Sequence, residues 1–417
     1  MNNIKLIRLC SSLHQKNEKM INEDNAFIDE INDTLLMDDY LLSENAENPV
    51  MEVVFVESGG SEQSFKKICS KLQKPVYLIT TSQNNSFPAC LEIRTYLANQ
   101  NIECLLLFGE IKQIALNIIT LANSFLAYRK NKNTRLGVIG RPSDWLIASK
   151  MDKEIVKQRY EVELVNIPLK VLYEEMDHRE LLSSIPHYEE LLAKGMNKEQ
   201  IFEAINIYSA LKRIIKKYDL KGFTIRCFDM LNKYKSTACL ALALLNEEGY
   251  TATCEGDVPS LLTMHFVRLI TDAPCFQANP SYVDMEKRQI LFAHCTLPLN
   301  MCKSYSLDTH YESGLGIGVR GELELTSVNL LKIAPDYSFD NTLIAEGEIV
   351  DNPKLKNYCR TQIMVKTNDK GIFSTIFDAN YGNHVIITYA NCIAPFVNLL
   401  HLFEANYQQK QIKKQNM

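Results

Sequence analysis

No stretch of the chain is long and apolar enough to span a bilayer; the best candidates, residues 105–107 and 240–245, are short. The N-terminus, Met1-Asn2-Asn3-Ile4-Lys5-Leu6, lacks the long apolar core of a signal peptide. No basic stripe is interleaved with aromatics, and the net charge is only −5, which argues against a nucleic-acid partner and against a polybasic membrane surface. None of the 12 cysteines forms a CxxC pair, so structural zinc is not expected, nor is a disulfide scaffold in a chain this long. Most lie inside apolar runs and read as small buried hydrophobes, with the cytosol as the expected home. There is no internal repeat and no low-complexity tract.

What remains is an ordinary globular composition over 417 residues, room for two or three domains. The first third alternates strand and helix: strands near residues 4–10, 51–56, 76–80 and 104–109, then a long helix over 111–128. Polar residues 129–133 mark a boundary. A second alternating unit has strands at 136–140, 162–168, 223–228 and 251–254, with helices at 198–217, 237–245 and after Asp257. Two more strands, 275–278 and 289–293, are expected to complete it. After His294 the pattern turns to period two, in short strands without a long helix until residues 396–404. The expected fold is α/β: two doubly wound, Rossmann-like parallel-sheet domains (1–132 and 133–293), then a β-rich, barrel-like C-terminal domain (294–417). The polar tail 408–417 is expected to be disordered.

The candidate chemistry is concentrated between residues 254 and 300. Glu255 and Asp257 bracket a glycine at a strand end, where open α/β sheets build their sites. Asp257 also reads as the N-cap of the helix containing Pro259. Asn279, before Pro280, is either an Asx-type turn or a ligand. His294 and His384 are each either a hydrogen-bonded core histidine or a ligand. Together, one Glu, an Asn or Asp and two His form a mixed nitrogen and oxygen set suited to Mn²⁺ or another divalent cation. Such an ion polarises a carbonyl and stabilises an ene-diolate, while a neighbouring carboxylate moves a proton between adjacent carbons.

Arg141 and Trp145, the single tryptophan, follow the strand ending at Gly140; they either hold an anionic group and stack on a sugar face or form a surface ion pair and a half-buried aromatic. Arg360 either supports the ligand site or pairs with an acid. Residues 57–61 form a Gly-rich turn that could also bind an anion.

The segments Cys254-Glu255-Gly256-Asp257, Phe276-Gln277-Ala278-Asn279-Pro280, Ala293-His294-Cys295-Thr296, Cys359-Arg360-Thr361-Gln362 and Gly382-Asn383-His384 resemble the L-fucose isomerase and L-arabinose isomerase superfamily, in particular its shorter fucose-isomerase-like bacterial branch. The resemblance implies a Mn²⁺-dependent aldose–ketose isomerase, a symmetric trimer or hexamer with active sites at subunit contacts. It implies that Glu255 is the metal-binding catalytic Glu, His384 the late ligand and His294 an additional ligand. Asn279 falls where the larger family has a second catalytic carboxylate. An amide can ligate but cannot act as a base, so Asp257, or failing it Glu312, is the expected second acid–base group. The alternatives are a sugar epimerase using the same intermediate, or a non-catalytic sugar-binding or regulatory homologue.

Overall fold

The computed structural model describes residues 1–179, 184–367, 373 and 377–415. The chain divides into two compact units, Met1–Lys130 with Ala394–Met417, and Asn131–Ile393.

The first unit is built on a five-stranded parallel sheet: β1 Asn2–Leu9, β2 Tyr40–Ser43, β3 Glu52–Val56, β4 Val76–Ile79 and β5 Cys104–Leu107, in the order β2-β1-β3-β4-β5. Side-chain alternation in β3 sends Val53 and Phe55 to one face, against Ile28 and Ile31 of the helix Glu18–Leu36 and Ile114 of the helix Ile111–Asn131. Val54 and Val56 face the other way, onto Phe65 and Ile93 of the helices Glu62–Ile68 and Ser86–Ala98. Helices therefore cover both faces. The helix Glu18–Leu36 and strand β2 had no counterpart in the sequence reading. The Glu57–Ser61 turn spends its polar groups internally: Ser58 Oγ accepts from Ser11 N, and Ser61 Oγ donates to Ser58 O.

The second unit opens with a four-stranded parallel sheet, β6 Thr134–Ile139, β7 Val162–Ile167, β8 Gly222–Ile225 and β9 Thr251–Cys254, ordered β7-β6-β8-β9. Its helices start on capping residues where the sequence offers them. Asn197 accepts from Glu199 N and Gln200 N ahead of the helix Lys198–Tyr218, and Asp257 caps the helix Val258–Thr271, which has proline in its first turn.

Strands β10 Phe276–Asp284 and β11 Gln289–His294 correct one expectation: they do not extend this sheet. They form an antiparallel hairpin, and with β14 Ser327–Lys332, β15 Leu343–Asp351, β16 Thr361–Lys366 and β17 Val385–Thr388 they close a barrel ordered β10-β11-β16-β15-β14-β17. The few residues joining β10 to β11 allow only antiparallel pairing, since a parallel neighbour needs a long crossover. Between β11 and β14, β12 Ser304–Asp308 and β13 Gly318–Glu322 pair as a separate ribbon. One apolar core runs through the whole unit, from Leu240 and Ala241 to Phe276, Phe292, Leu330 and Val365. The fold is thus mixed α/β, with parallel sheets followed by an antiparallel β-rich part.

Within the tail expected to be disordered, residues 408–415 are helical, the end of one helix that runs from Ile393 to Gln415, and residues 416–417 lie outside the described residues. Leu402 packs into the first unit's core and the Phe403 ring lies 5.3 Å from that of Tyr128, while the last turns, Gln408 to Lys414, consist largely of good helix formers. All 12 cysteines are free thiols. Among the described residues no helix is long and apolar enough to cross a membrane.

Candidate metal centre

Three chain segments bring Glu255, His294 and His384 together. Glu255 follows the carboxyl end of β9, His294 ends β11, and His384 immediately precedes β17. Glu255 adopts a left-handed backbone (φ 67°), an uncommon conformation for a residue with a side chain and one that clusters at functional sites. Gly256 follows at φ 73°, and a Cβ there would lie 2.4 Å from Arg141 O. The glycine lets the 141–145 loop close onto this turn, where Ser143 N donates to Glu255 O at 2.8 Å. Trp145 Nε1 then donates to Glu255 Oε2 at 2.7 Å, although the indole itself is 52 % exposed.

The other carboxylate oxygen, Glu255 Oε1, faces His384 Nε2 at 3.5 Å and His294 Nε2 at 3.7 Å. All three residues are buried, and their ligand atoms lie within 4.8 Å of one another. These separations are too long for hydrogen bonds. They match two ligands that share one ion, since bonds of about 2.1 Å at tetrahedral angles put ligand atoms about 3.4 Å apart. His384 Nε2 is buried without a hydrogen-bond partner among the described residues, as is Asn279 Oδ1. Asn279 lies two residues along β10 from Gln277, on the same face of the strand; Gln277 accepts from Cys254 N at 2.8 Å, directly before Glu255. The donor set fits a divalent cation.

The far nitrogen of each histidine is held. His294 Nδ1 meets Thr296 Oγ1 at 3.0 Å, and His384 Nδ1 donates to Asp257 Oδ2 at 2.8 Å. Fixing one ring nitrogen in this way orients the other toward an ion. Asp257 is fully engaged: Ser260 N donates to Oδ1 at 2.9 Å, while the Ser260 hydroxyl and Lys332 Nζ donate to Oδ2 at 2.9 and 2.7 Å. Burial opposes ionisation of both carboxyls, but their histidine and lysine neighbours win. His384 and His294 hold Glu255 well below the usual carboxylate range, and Lys332 with His384 does the same for Asp257. For His384, burial is outweighed by Glu255 and Asp257, which raise its imidazole to about 9.

The remaining candidates stand further out. Arg141 is exposed and pairs with Asp144 at 3.2 Å. Arg360 Nε donates to Thr309 O at 2.6 Å and the guanidinium lies 3.4 Å from Asp308, so Arg360 ties down the loop between β12 and β13. Glu312 is exposed on that loop. An aromatic wall runs from Trp145 to Phe228 to His310, with ring centroids 5.0 and 5.2 Å apart. Lys332, Ser260 and Thr296 had no assigned role in the sequence reading.

A second buried cluster, His14, Asp24 and Glu57, lies in the first unit beyond the ends of β1 and β3. Its carboxylates are already engaged, although His14 Nδ1 is buried without a hydrogen-bond partner among the described residues. His14 Nε2 is hydrogen-bonded to Asp24 Oδ2 at 2.5 Å, too close for two ligands of one ion, and Arg8 Nε donates to Glu57.

Residues 162–273 match the family model of the L-arabinose isomerase central domain. The likeness is to sugar isomerases. The chain is 19% identical over 276 residues to the sulfoquinovose isomerase of Priestia megaterium, covering 64% of this chain and 62% of that protein, and it matches the same-named protein of Priestia aryabhattai to the same extent. It is 26% identical over 199 residues to the sulfoquinovose isomerase of a Clostridium species, covering 45% of this chain and 43% of that protein. The match thus spans less than two thirds of these relatives' length. Together these likenesses support an arabinose- and fucose-isomerase-like family at low identity and do not single out its shorter branch. Glu255 and Asp257 fall inside the matched central segment, whereas Asn279, His294 and His384 lie beyond it.

Proposed function

We propose that this chain is an aldose–ketose isomerase whose site is formed by Glu255, His294 and His384, with Asn279 as a further ligand of a divalent cation such as Mn²⁺. The observation that carries the reading is the convergence of Glu255 Oε1 with two histidine Nε2 atoms at 3.5 and 3.7 Å, one of them buried without a partner. A cation held there supplies Lewis acidity to adjacent carbonyl and hydroxyl oxygens of an open-chain sugar. Glu255 carries the proton. One carboxylate suffices for the carbon proton of an ene-diolate route, because a proton taken from C2 can be returned to C1 on the same face, while the O2 hydroxyl proton passes to O1 by way of water. Trp145 holds Glu255 Oε2 in place, and Asp257 acts through His384 rather than on the sugar, since its oxygens are already occupied.

Sulfoquinovose is the first substrate to test, because the relatives carry that name, and Arg141 beside Trp145 is the side chain proposed for its anionic group. A trimer or hexamer in the cytosol is proposed on the family resemblance. A second reading, a sugar-binding homologue or an epimerase, is favoured by the amide of Asn279 at the position of a second carboxylate.

The deciding experiment incubates the protein with Mn²⁺ and a panel of aldoses, sulfoquinovose included, in D₂O. The isomerase reading expects ketose carrying deuterium on the carbon next to the carbonyl. Epimeric aldose would favour the epimerase; metal and sugar binding without C2 proton exchange would favour the binding protein.

A further inference from the structure

Lys332 ends β14 on the same face as Val328 and Leu330, two residues of the apolar core. The strand pattern calls for a hydrophobe there. Instead a lysine with 0 % exposure extends inward, and its ammonium donates to Asp257 Oδ2 at 2.7 Å and to Ser260 Oγ at 2.5 Å. A buried ammonium is costly unless it is paired and hydrogen-bonded. The pair is not needed for the helix cap, because Ser260 N already bonds to Asp257 Oδ1.

We propose that Lys332 is a positioning residue of the metal centre: it locks Asp257 so that His384 presents Nε2 to Glu255 and His294. This inference rests on the metal-site reading above. Asp257 Oδ2 is shared between Lys332 Nζ and His384 Nδ1, at 2.7 and 2.8 Å. The ammonium prevents the carboxylate from rotating away, and the carboxylate, which can only accept, fixes the hydrogen on Nδ1. The imidazole plane is thereby set, with Nε2 toward Glu255 Oε1. The order of action is Lys332, Asp257, His384, then the ion. The hydrogen bonds of Lys332 go to Asp257 and Ser260.

The test compares the wild type with Lys332→Met by two readouts. In metal-free protein, ¹H NMR should show a downfield Nδ1–H resonance, assigned to His384 by its loss in His384→Ala. Lys332→Met should shift it upfield or lose it to solvent exchange. Mn²⁺ titration should show about 10–100-fold weaker binding in Lys332→Met, the scale of outer-partner losses at metal sites. If Lys332→Met does not fold, Lys332→Gln, whose neutral amide can still hydrogen-bond to Asp257, replaces it, and a weakening in the same direction with the same Nδ1–H change is expected. Wild-type Mn²⁺ affinity with an unchanged Nδ1–H resonance in the folded variant would overturn the proposal. Should the wild type itself bind no Mn²⁺, the metal-site reading fails, and the NMR comparison still decides whether Lys332 fixes His384.

Discussion

The indole Nε1 of Trp145 donates to Glu255 Oε2 at 2.7 Å, so the only tryptophan in the chain touches the carboxylate whose other oxygen faces the two histidines. Tryptophan fluorescence is therefore a direct reporter of the centre. Adding Mn²⁺, which is paramagnetic, should quench the emission in a saturable way, and Glu255→Gln should abolish the quenching. Mg²⁺ at matched occupancy should quench far less. A Mn²⁺ titration followed at the tryptophan emission checks this.

Gly256→Ala should be damaging. The residue sits at φ 73°, and the new methyl would lie 2.4 Å from Arg141 O and 2.7 Å from Pro142 Cα. Backbone, not a flexible side chain, is in the way. Urea unfolding should show a loss of at least about 2 kcal/mol, from strain at a special backbone position plus displacement of the 141–145 loop. Trp145 should become more accessible to acrylamide in the same variant.

Much of this centre could be read from the sequence, and the reasons differ by residue. Glu255 was marked by its place between a buried run and the Gly256-Asp257 turn. Asp257 carried two readings, cap and catalytic group; the cap is seen, and its remaining oxygen lone pairs go to Lys332, Ser260 and His384. His294 and His384 were ambiguous alone, because a histidine beside an apolar run reads the same whether it binds an ion or a hydroxyl. Lys332 was hidden because a lysine closing a strand ordinarily lies in solvent, and nothing local reveals that this one points inward. The destination of β10 and β11 was hidden too, since hydrophobic period reports a strand but not its neighbour. The helix Glu18–Leu36 was obscured by polar residues that dilute its buried Ile28, Ile31 and Leu35.

His265 gives a pH dependence unrelated to the cluster of Glu255, His294 and His384. It is buried in the helix Val258–Thr271, with Nε2 3.0 Å from Asn131 Oδ1, and burial, helped by Arg268, lowers its pKa to about 3. Between about pH 6.5 and 3 the unfolded chain takes up a proton here that the folded chain refuses. Stability should therefore fall as the pH drops through this window, with this one group contributing up to about 1.4 kcal/mol per pH unit. His265→Gln, which keeps a hydrogen-bonding group, should flatten that part of the curve in urea titrations at pH 7, 6 and 5.

His384 has the opposite sign. Glu255 and Asp257 raise its pKa to about 9, so its contribution to metal-free stability is full below about pH 6.5 and fades as the pH rises through 9. The same proton competes with a cation for Nε2. Mn²⁺ affinity should increase by about tenfold per pH unit through the neutral range and level off near pH 9. Calorimetric titrations in buffers of different ionisation heat should show about one proton released per ion bound near neutrality.

The most direct measurement is the Mn²⁺ stoichiometry of the purified protein, read by electron paramagnetic resonance of free ion in wild type, Glu255→Gln, His294→Ala and His384→Ala. If these side chains form one centre, the wild type takes up one ion per chain with a single affinity. Each variant, folded by circular dichroism, then loses at least about tenfold in affinity. Equal stoichiometry and affinity in all four proteins would contradict the account.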